Sequence, residues 1–368
     1  MASFRKKGPY WYYRVSYKDE AKNKTKEKGG FRTKKEAQLA AAKLEADLND
    51  GFKIKSNSEL FIDYYQRWFD IYKKDKLSLE TNRNYRYAIK VAKQYFGSIK
   101  MVSLDRESYQ IILNNYASTH SFASVKKLNS MYKACFNDAV HNGDIKRSPA
   151  YKVTLSGTAP KKEEDKYLDE YEAKQLIKVI LDGICPNYIS RYMILLALAS
   201  GARYAEVIGL TEDCVDFENN TIKINKTWNY RDLKDFSTTK NEASMRTLKI
   251  DSFTMTQLYN LIQSKKQPHP KGLVFAHTTG YPITDNAVNK VLKKALRRAN
   301  IISDITFHSL RHTHGSLLLL HETSLIYVSK RLGHASIETT ANIYSHLVKE
   351  LNEKGNQITK DLMNNIYK

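Results

Sequence analysis

The chain has 368 residues, 42% of them hydrophobic, which is enough for two or three domains each with its own core. Lys and Arg outnumber Asp and Glu by 60 to 39, a net charge of +21, so the molecule is a polycation drawn to polyanions such as nucleic acid. Its longest apolar run, Tyr192 to Ala199, is far short of the roughly 20 residues of a spanning helix, and its start has no apolar export signal. A cytoplasmic protein with no membrane partner is the expectation. Cys135, Cys185 and Cys214 are odd in number and scattered, as reduced core thiols are.

Residues 1–55 read as a small β-plus-helix unit. Strand-like runs stand at Ser3 to Lys7, Tyr10 to Tyr17 and Lys24 to Phe31, the second rich in aromatic and β-branched residues. Thr33 and Glu36 form a capping box for a helix with apolar positions at Ala37, Leu39, Ala40, Leu44 and Leu48, and Gly51 closes it. The 15 basic and 7 acidic residues give this unit +8. A solvated basic surface is the plain explanation. A three-stranded sheet that reads DNA accounts for more, because sheets enter the major groove and the lysines here alternate with strand aromatics.

From Ser58 to about His141 the pattern is helical throughout. Behind a Ser58 cap, Leu60, Phe61, Tyr64, Tyr65, Trp68, Phe69 and Tyr72 follow three-and-four spacing. Further helices are expected at about Leu79 to Phe96, Ser103 to Tyr116 and Ser121 to His141. The aromatic stripe is assigned to the core rather than to a base-stacking surface, while Arg83, Arg86, Lys90, Lys93, Lys126, Lys127 and Lys133 suit phosphate contacts. Pro149 to Lys166, with Ser156-Gly157-Thr158-Ala159-Pro160 ahead of a charged run, has linker chemistry and marks a domain boundary.

The rest predicts a mostly helical domain with one short sheet. Asp169 opens a helix, Tyr188 to Ser200 is an apolar helix stopped at Gly201, and Arg203 starts the next, where free backbone amides favour an anion. Glu206 supports that helix. Strands at about Cys214 to Phe217, Thr221 to Asn225 and Met245 to Ile250 make the sheet, and a polar loop between the last two ends Ser237-Thr238-Thr239-Lys240-Asn241. Alone, Arg203 is a surface residue and Lys240 a loop charge. Helices resume near Thr284 to Ala299, with Asn300 as the stop. The fold class is mainly α with small β-sheets.

Thr306 to His346 is the most informative stretch. His308 and Arg311 share a helix face, Leu332-Gly333-His334 supplies a second imidazole after a glycine break, and Tyr344 lies ten residues past it. Apolar packing requires none of these groups at these spacings, which read as a phosphate-handling site with its own nucleophile. His308 and His312 have the spacing of a zinc site, but Ser309 stands where a zincin has glutamate, so no metal is expected.

His-x-x-Arg, then Leu-Gly-His, then a tyrosine resembles the C-terminal half of the active site of the tyrosine recombinases, the phage-type integrase family. The resemblance implies Arg203, Lys240, His308, Arg311, His334 and Tyr344 as catalytic residues. Ser200 stands where the family usually has threonine, and Lys240 falls in the family's β-hairpin, ahead of a Ser244-Met245-Arg246 like the family's Ser-x-Arg. The implied domains are an arm-type DNA-binding domain at 1–55, a helical core-binding domain at 56–150, a linker at 151–166 and a catalytic domain at 167–368. That last domain would end in a tail docked on a neighbouring protomer, with packing in cis as the alternative. Implied partners are double-stranded DNA with core and arm attachment sites, a homotetramer on that DNA, an excisionase and a host DNA-bending protein, all in a bacterial cytoplasm.

The implied chemistry has Tyr344 attack the scissile phosphate, forming a 3′-phosphotyrosine and a free 5′ hydroxyl. Arg203 and Arg311 would hold the non-bridging oxygens, since planar forked donors fit phosphate and stay charged. His308 and His334 would donate hydrogen bonds or manage the tyrosine proton, and Lys240 would protonate the leaving oxygen. The bond energy is kept, so no cofactor is expected, and the chain has no Gly-x-x-x-x-Gly-Lys loop. The expected function is integration and excision of a mobile element. The rivals are a type IB topoisomerase-like enzyme, a resolvase-like recombinase and a non-catalytic DNA-binding regulator, the last having no need of Tyr344.

Overall fold

The computed structural model describes residues 2–19, 22–49, 59–159, 167–230, 234–238, 242–276 and 280–367. The chain folds as two compact units, Met1–Pro160 and Lys161–Lys368. Gly51, Ser58 and Lys240 lie outside the described residues.

In the first unit, β1 (Ser3–Lys7), β2 (Tyr10–Asp19) and β3 (Lys22–Phe31) form an antiparallel sheet in the order β1-β2-β3. Side chains alternate across a strand, so Tyr13 and Val15 face α1 (Lys34–Asn49) and Arg14 faces out. The Thr33 hydroxyl accepts from the Glu36 amide at 3.2 Å, while the Glu36 carboxylate accepts from the Arg32 amide at 3.0 Å. Ala40, Ala41, Leu44 and Leu48 meet the sheet, but Leu39 is 65% exposed. It falls off the stripe that the other four define.

Four helices follow, α2 (Phe61–Tyr72), α3 (Leu79–Tyr95), α4 (Arg106–Ala117) and α5 (Phe122–His141). Ser78, Asp105 and Ser121 cap the last three. At α2 the backbone substitutes for a side-chain cap: Leu60 bridges Lys100, and the Phe61 amide donates to Ile99 O at 2.9 Å. Phe61, Tyr64, Tyr65, Trp68 and Phe69 are core, with Phe61 stacked on Phe96 at 4.4 Å. Their polar tips are satisfied inside where the geometry allows, Trp68 Nε1 on Asp138 and Tyr64 OH on Asp144, each at 2.8 Å. Arg86, Lys90, Lys93, Lys126, Lys127 and Lys133 are exposed. The described part of the expected linker, 151–159, lies along these helices. Val153 and Leu155 pack on the core, and Thr158 bridges Ser121.

The second unit is built around α7 (Ile189–Ser200), ten of whose twelve residues are buried. A helix apolar on every side has to be surrounded, and α6 (Glu170–Asp182), α9 (Ser252–Gln263), α10 (Asp285–Arg298) and α11 (Phe307–Leu320) pack on it. The short α8 (Tyr204–Ile208) follows it. A sheet of order β4-β5-β8 joins Val215–Asp216, Thr221–Ile224 and Arg246–Lys249. Two features differ from expectation. The polar loop contains a second sheet, β6 (Thr227–Asn229) against β7 (Asp235–Ser237), stabilised by Trp228 edge-on to Phe236. The additional helix α9 starts at an Asp251 cap. After α11 come α12 (Leu325–Leu332), α13 (Ile337–Ile343) and α14 (Ser345–Ile366).

Candidate active site

Gly201 ends α7 in the left-handed region, φ 67°, and a Cβ there would lie 2.6 Å from Leu332 and 2.8 Å from His314. Glycine is required by both conditions. The Ser200 hydroxyl donates to Leu196 O at 2.6 Å and accepts from the Ala202 amide at 3.1 Å, so serine suffices to hold this turn. The chain then reaches Arg203, the N-cap of α8. Its guanidinium donates to Glu206 Oε1 at 2.8 Å and to Gly333 O at 3.2 Å. Glu206 is 2% exposed. Burial pushes its carboxyl up, but the hydrogen bond and charge of Arg246, followed by Arg203, more than offset this and leave it below its usual value.

Thr306 starts α11, its amide donating to Ser309 Oγ at 3.2 Å. His308, Arg311, His312 and Gly315 follow at intervals that share one face. Arg311 is 3% exposed and donates to Gly201 O at 2.8 Å. Its Nη2 is buried with no hydrogen-bond partner among the described residues. Burial, then the neighbouring Arg203, lower it to about 9, which still leaves it charged at neutral pH. A buried donor left open costs free energy unless something fills it, and an anion fits a site rich in cations.

Gly333 ends α12 at φ 67° and turns the chain into His334, whose Nδ1 lies 2.7 Å from Thr340 Oγ1. Burial, then Arg311 and Arg203, bring His334 down to about 4. The same causes lower His308, although the residue as a whole is exposed. Both imidazoles are therefore neutral near pH 7, each with one N–H and one lone pair. Tyr344 is 2% exposed, at the joint of α13 and α14, with its hydroxyl 3.5 Å from Arg311 O. Burial pushes the phenol up to about 12, with Arg311 pulling the other way. The phenol therefore carries its proton at neutral pH.

Arg203, His308, Arg311, His334 and Tyr344 thus come together, while Lys240 lies outside the described residues. His312 joins them edge-on, 5.3 Å from the His308 ring and 6.3 Å from that of Tyr344. Among the described residues no group of three His, Cys, Asp or Glu is placed to hold a metal ion. Two contributors, Gly315 and His314, carry no local sequence signal, and Arg246 stands in the Ser-x-Arg of the sequence with nothing there to announce its partners. The His314 Nδ1 donates to Leu198 O at 2.7 Å, and its Nε2 accepts from Arg331 at 2.8 Å.

The sequence profile of the phage integrase family matches residues 166–350, and that of an arm DNA-binding domain matches residues 3–48. The tyrosine recombinase XerC-like protein of Caldanaerobacter subterraneus subsp. tengcongensis is 26% identical over 95% of this chain and 96% of its own. The integrase of Staphylococcus phage L54a is 26% identical over 87% of this chain and 99% of its own. Among solved structures, the Tn1549 transposon integrase bound to circular intermediate DNA superposes with a TM-score of 0.67 at 18% identity, covering 78% of this chain and 95% of that one. A lambda integrase dimer bound to a COC′ core site gives 0.63 at 17% identity, over 92% of this chain and 93% of that one. These last two likenesses concern the fold. The chain belongs to the phage integrase family. It is an enzyme of the tyrosine recombinase class, acting in DNA recombination.

Proposed function

We propose that the chain cleaves and rejoins double-stranded DNA with Tyr344 as nucleophile, and so integrates and excises a mobile element. The observation that carries this reading is the open buried Nη2 of Arg311 beside Arg203 and a buried tyrosine. Two guanidiniums grip the non-bridging oxygens of a phosphodiester and stabilise the charge that grows on them. The Tyr344 oxygen attacks phosphorus, forming the 3′-phosphotyrosine as the bond to the 5′ oxygen breaks. The neutral His308 and His334 supply a lone pair for the phenolic proton or an N–H for the phosphate, and Lys240 protonates the departing 5′ oxygen. The free 5′ hydroxyl of a second strand reverses the step, so no external energy source is consumed.

Around this centre, residues 1–55 bind arm sites, 56–150 grip the core site, 151–166 connect, and 167–368 carry the chemistry and the tail. The arm assignment draws on the profile match at 3–48, and core binding draws on the exposed cations of α3 and α5. Four protomers on DNA, in the cytoplasm of a bacterial host with an excisionase and a DNA-bending protein, complete the proposal. The test uses the full chain and a duplex selected for binding from random sequence, nicked at successive positions to trap the intermediate. A denaturation-resistant adduct mapped to Tyr344, absent in Tyr344→Phe while that variant still binds, is expected. Recombination by Tyr344→Phe at the wild-type rate would overturn it.

A further inference from the structure

Arg246, the first residue of β8, is almost wholly withdrawn from solvent, its side chain 8% exposed. Every nitrogen of its guanidinium is used. Nη2 donates to Glu206 Oε2 at 2.9 Å, Nη1 to Glu206 Oε1 at 3.3 Å and to Ser244 O at 2.9 Å, and Nε to Arg331 O at 2.7 Å. Arg203 meets the same carboxylate from the other side, its amide on Oε2 at 2.9 Å and its Nη1 on Oε1 at 2.8 Å. Each carboxylate oxygen thus accepts from both arginines. The pair also grips the bend between α12 and His334, Arg246 at Arg331 O and Arg203 at Gly333 O.

We propose that Arg246 is a positioning residue for the cleavage reaction, sharing Glu206 with Arg203 so that Arg203 stays aimed at the phosphate, and fixing the bend that carries His334. The inference rests on the proposed cleavage by Tyr344. A buried ion pair is a poor source of stability, because desolvation consumes most of the attraction. What this one supplies is geometry. Without Arg246 the Glu206 carboxylate has one cation left to satisfy it and draws that cation, Arg203, towards itself. Lysine would restore the charge but not the planar fork that spans Glu206, Ser244 and Arg331 together.

The experiment measures single-turnover cleavage at saturating DNA for the full-length wild type, Arg246→Gln and Arg246→Lys, on two duplexes. One carries the ordinary phosphodiester. The other carries a methylphosphonate at the cleaved position, which lacks a charged oxygen and so asks less of Arg203. On the phosphodiester, Arg246→Gln is expected to cut about 100-fold more slowly, the usual scale for a small misplacement of a reacting group. DNA affinity should stay within about threefold, as for a residue that makes no phosphate contact of its own. On the methylphosphonate the deficit should shrink to about tenfold or less, because one of the two non-bridging charges is absent and less is left for Arg203 to meet, and Arg246→Lys should fall between wild type and Arg246→Gln. An equal deficit on both duplexes with a lowered unfolding midpoint, or no deficit in either variant, would overturn the positioning role. Failure of the wild type to form any adduct would instead remove the Tyr344 reading beneath it.

Discussion

A Cβ built on Gly315 would lie 2.1 Å from the Tyr344 hydroxyl. The absence of a side chain one turn beyond Arg311 is what allows the phenol to lie against α11. Replacing Gly315 by valine puts branched carbon where the ring now sits, and the cost of overpacking, about 1–3 kcal/mol, exceeds the roughly 1 kcal/mol that glycine forfeits in a helix. Urea unfolding should show a net loss of stability, and Tyr344 should become open to nitration. Unchanged stability with an unreactive tyrosine would mean that the ring has a second resting place inside.

The interior of the second unit should weaken in acid through His314. Burial and then the Arg331 charge lower this imidazole to about 4, against an ordinary 6.5. The unfolded chain therefore binds the proton first, and the stabilisation is fully present above pH 6.5 and is lost as pH falls towards 4. For this buried ring the loss by pH 4 is about 3 kcal/mol, and His334 acts in the same direction. Unfolding free energies at pH 7 and pH 5 should differ less in His314→Gln than in the wild type. Equal pH slopes would show that this ring does not govern the loss.

What could be read in advance was what lies close along the chain. His308 and Arg311 lie within one turn, Gly201 and Gly333 end helices where glycine is needed, and the apolar run of α7 requires a surrounding shell. The strands β6 and β7 have three residues each, too few for period-two alternation to register, so sequence pattern alone does not distinguish their pairing from loop. Helix α9 starts soon after a strand, and the exposed Phe253 in its first turn blurs the Met255, Leu258 and Leu261 spacing that buries it. Arg246 and Glu206 are 40 positions apart. No local spacing announces that pair, and the same holds for Gly315 beneath Tyr344.

Lys240→Ala should cleave ordinary DNA poorly and recover on DNA with sulfur at the 5′ bridging position, because a thiolate leaves without being protonated. Rates for wild type and variant on the two substrates settle the point. A defect of the same size on both would remove Lys240 from the role of acid.

Arg311→Lys keeps the charge but loses the fork that reaches Gly201 O with one arm and leaves Nη2 open. Loss of one aimed donor to a developing oxyanion slows such steps by about 100- to 1,000-fold. Adduct formation by Arg311→Lys should fall by that order, with binding nearly intact in a filter or gel-shift assay. A rate within about threefold of wild type, well below that scale, would show that point charge alone is sufficient there.

Tyr344 closes α13 and opens α14 at once, with φ −107° and ψ 27°. No spacer separates Tyr344 from the tail, so the two torsions of this one residue set the direction of all 22 residues of α14. Adding or deleting a residue within α14 would swing everything beyond by about 100° around its axis while leaving Tyr344 in place. The tail's angular phase is therefore an inherited property of the joint. A graft that preserves length from Ser345 onward preserves that phase, whereas one that alters it re-aims the tail without touching Tyr344 or the side chains around it.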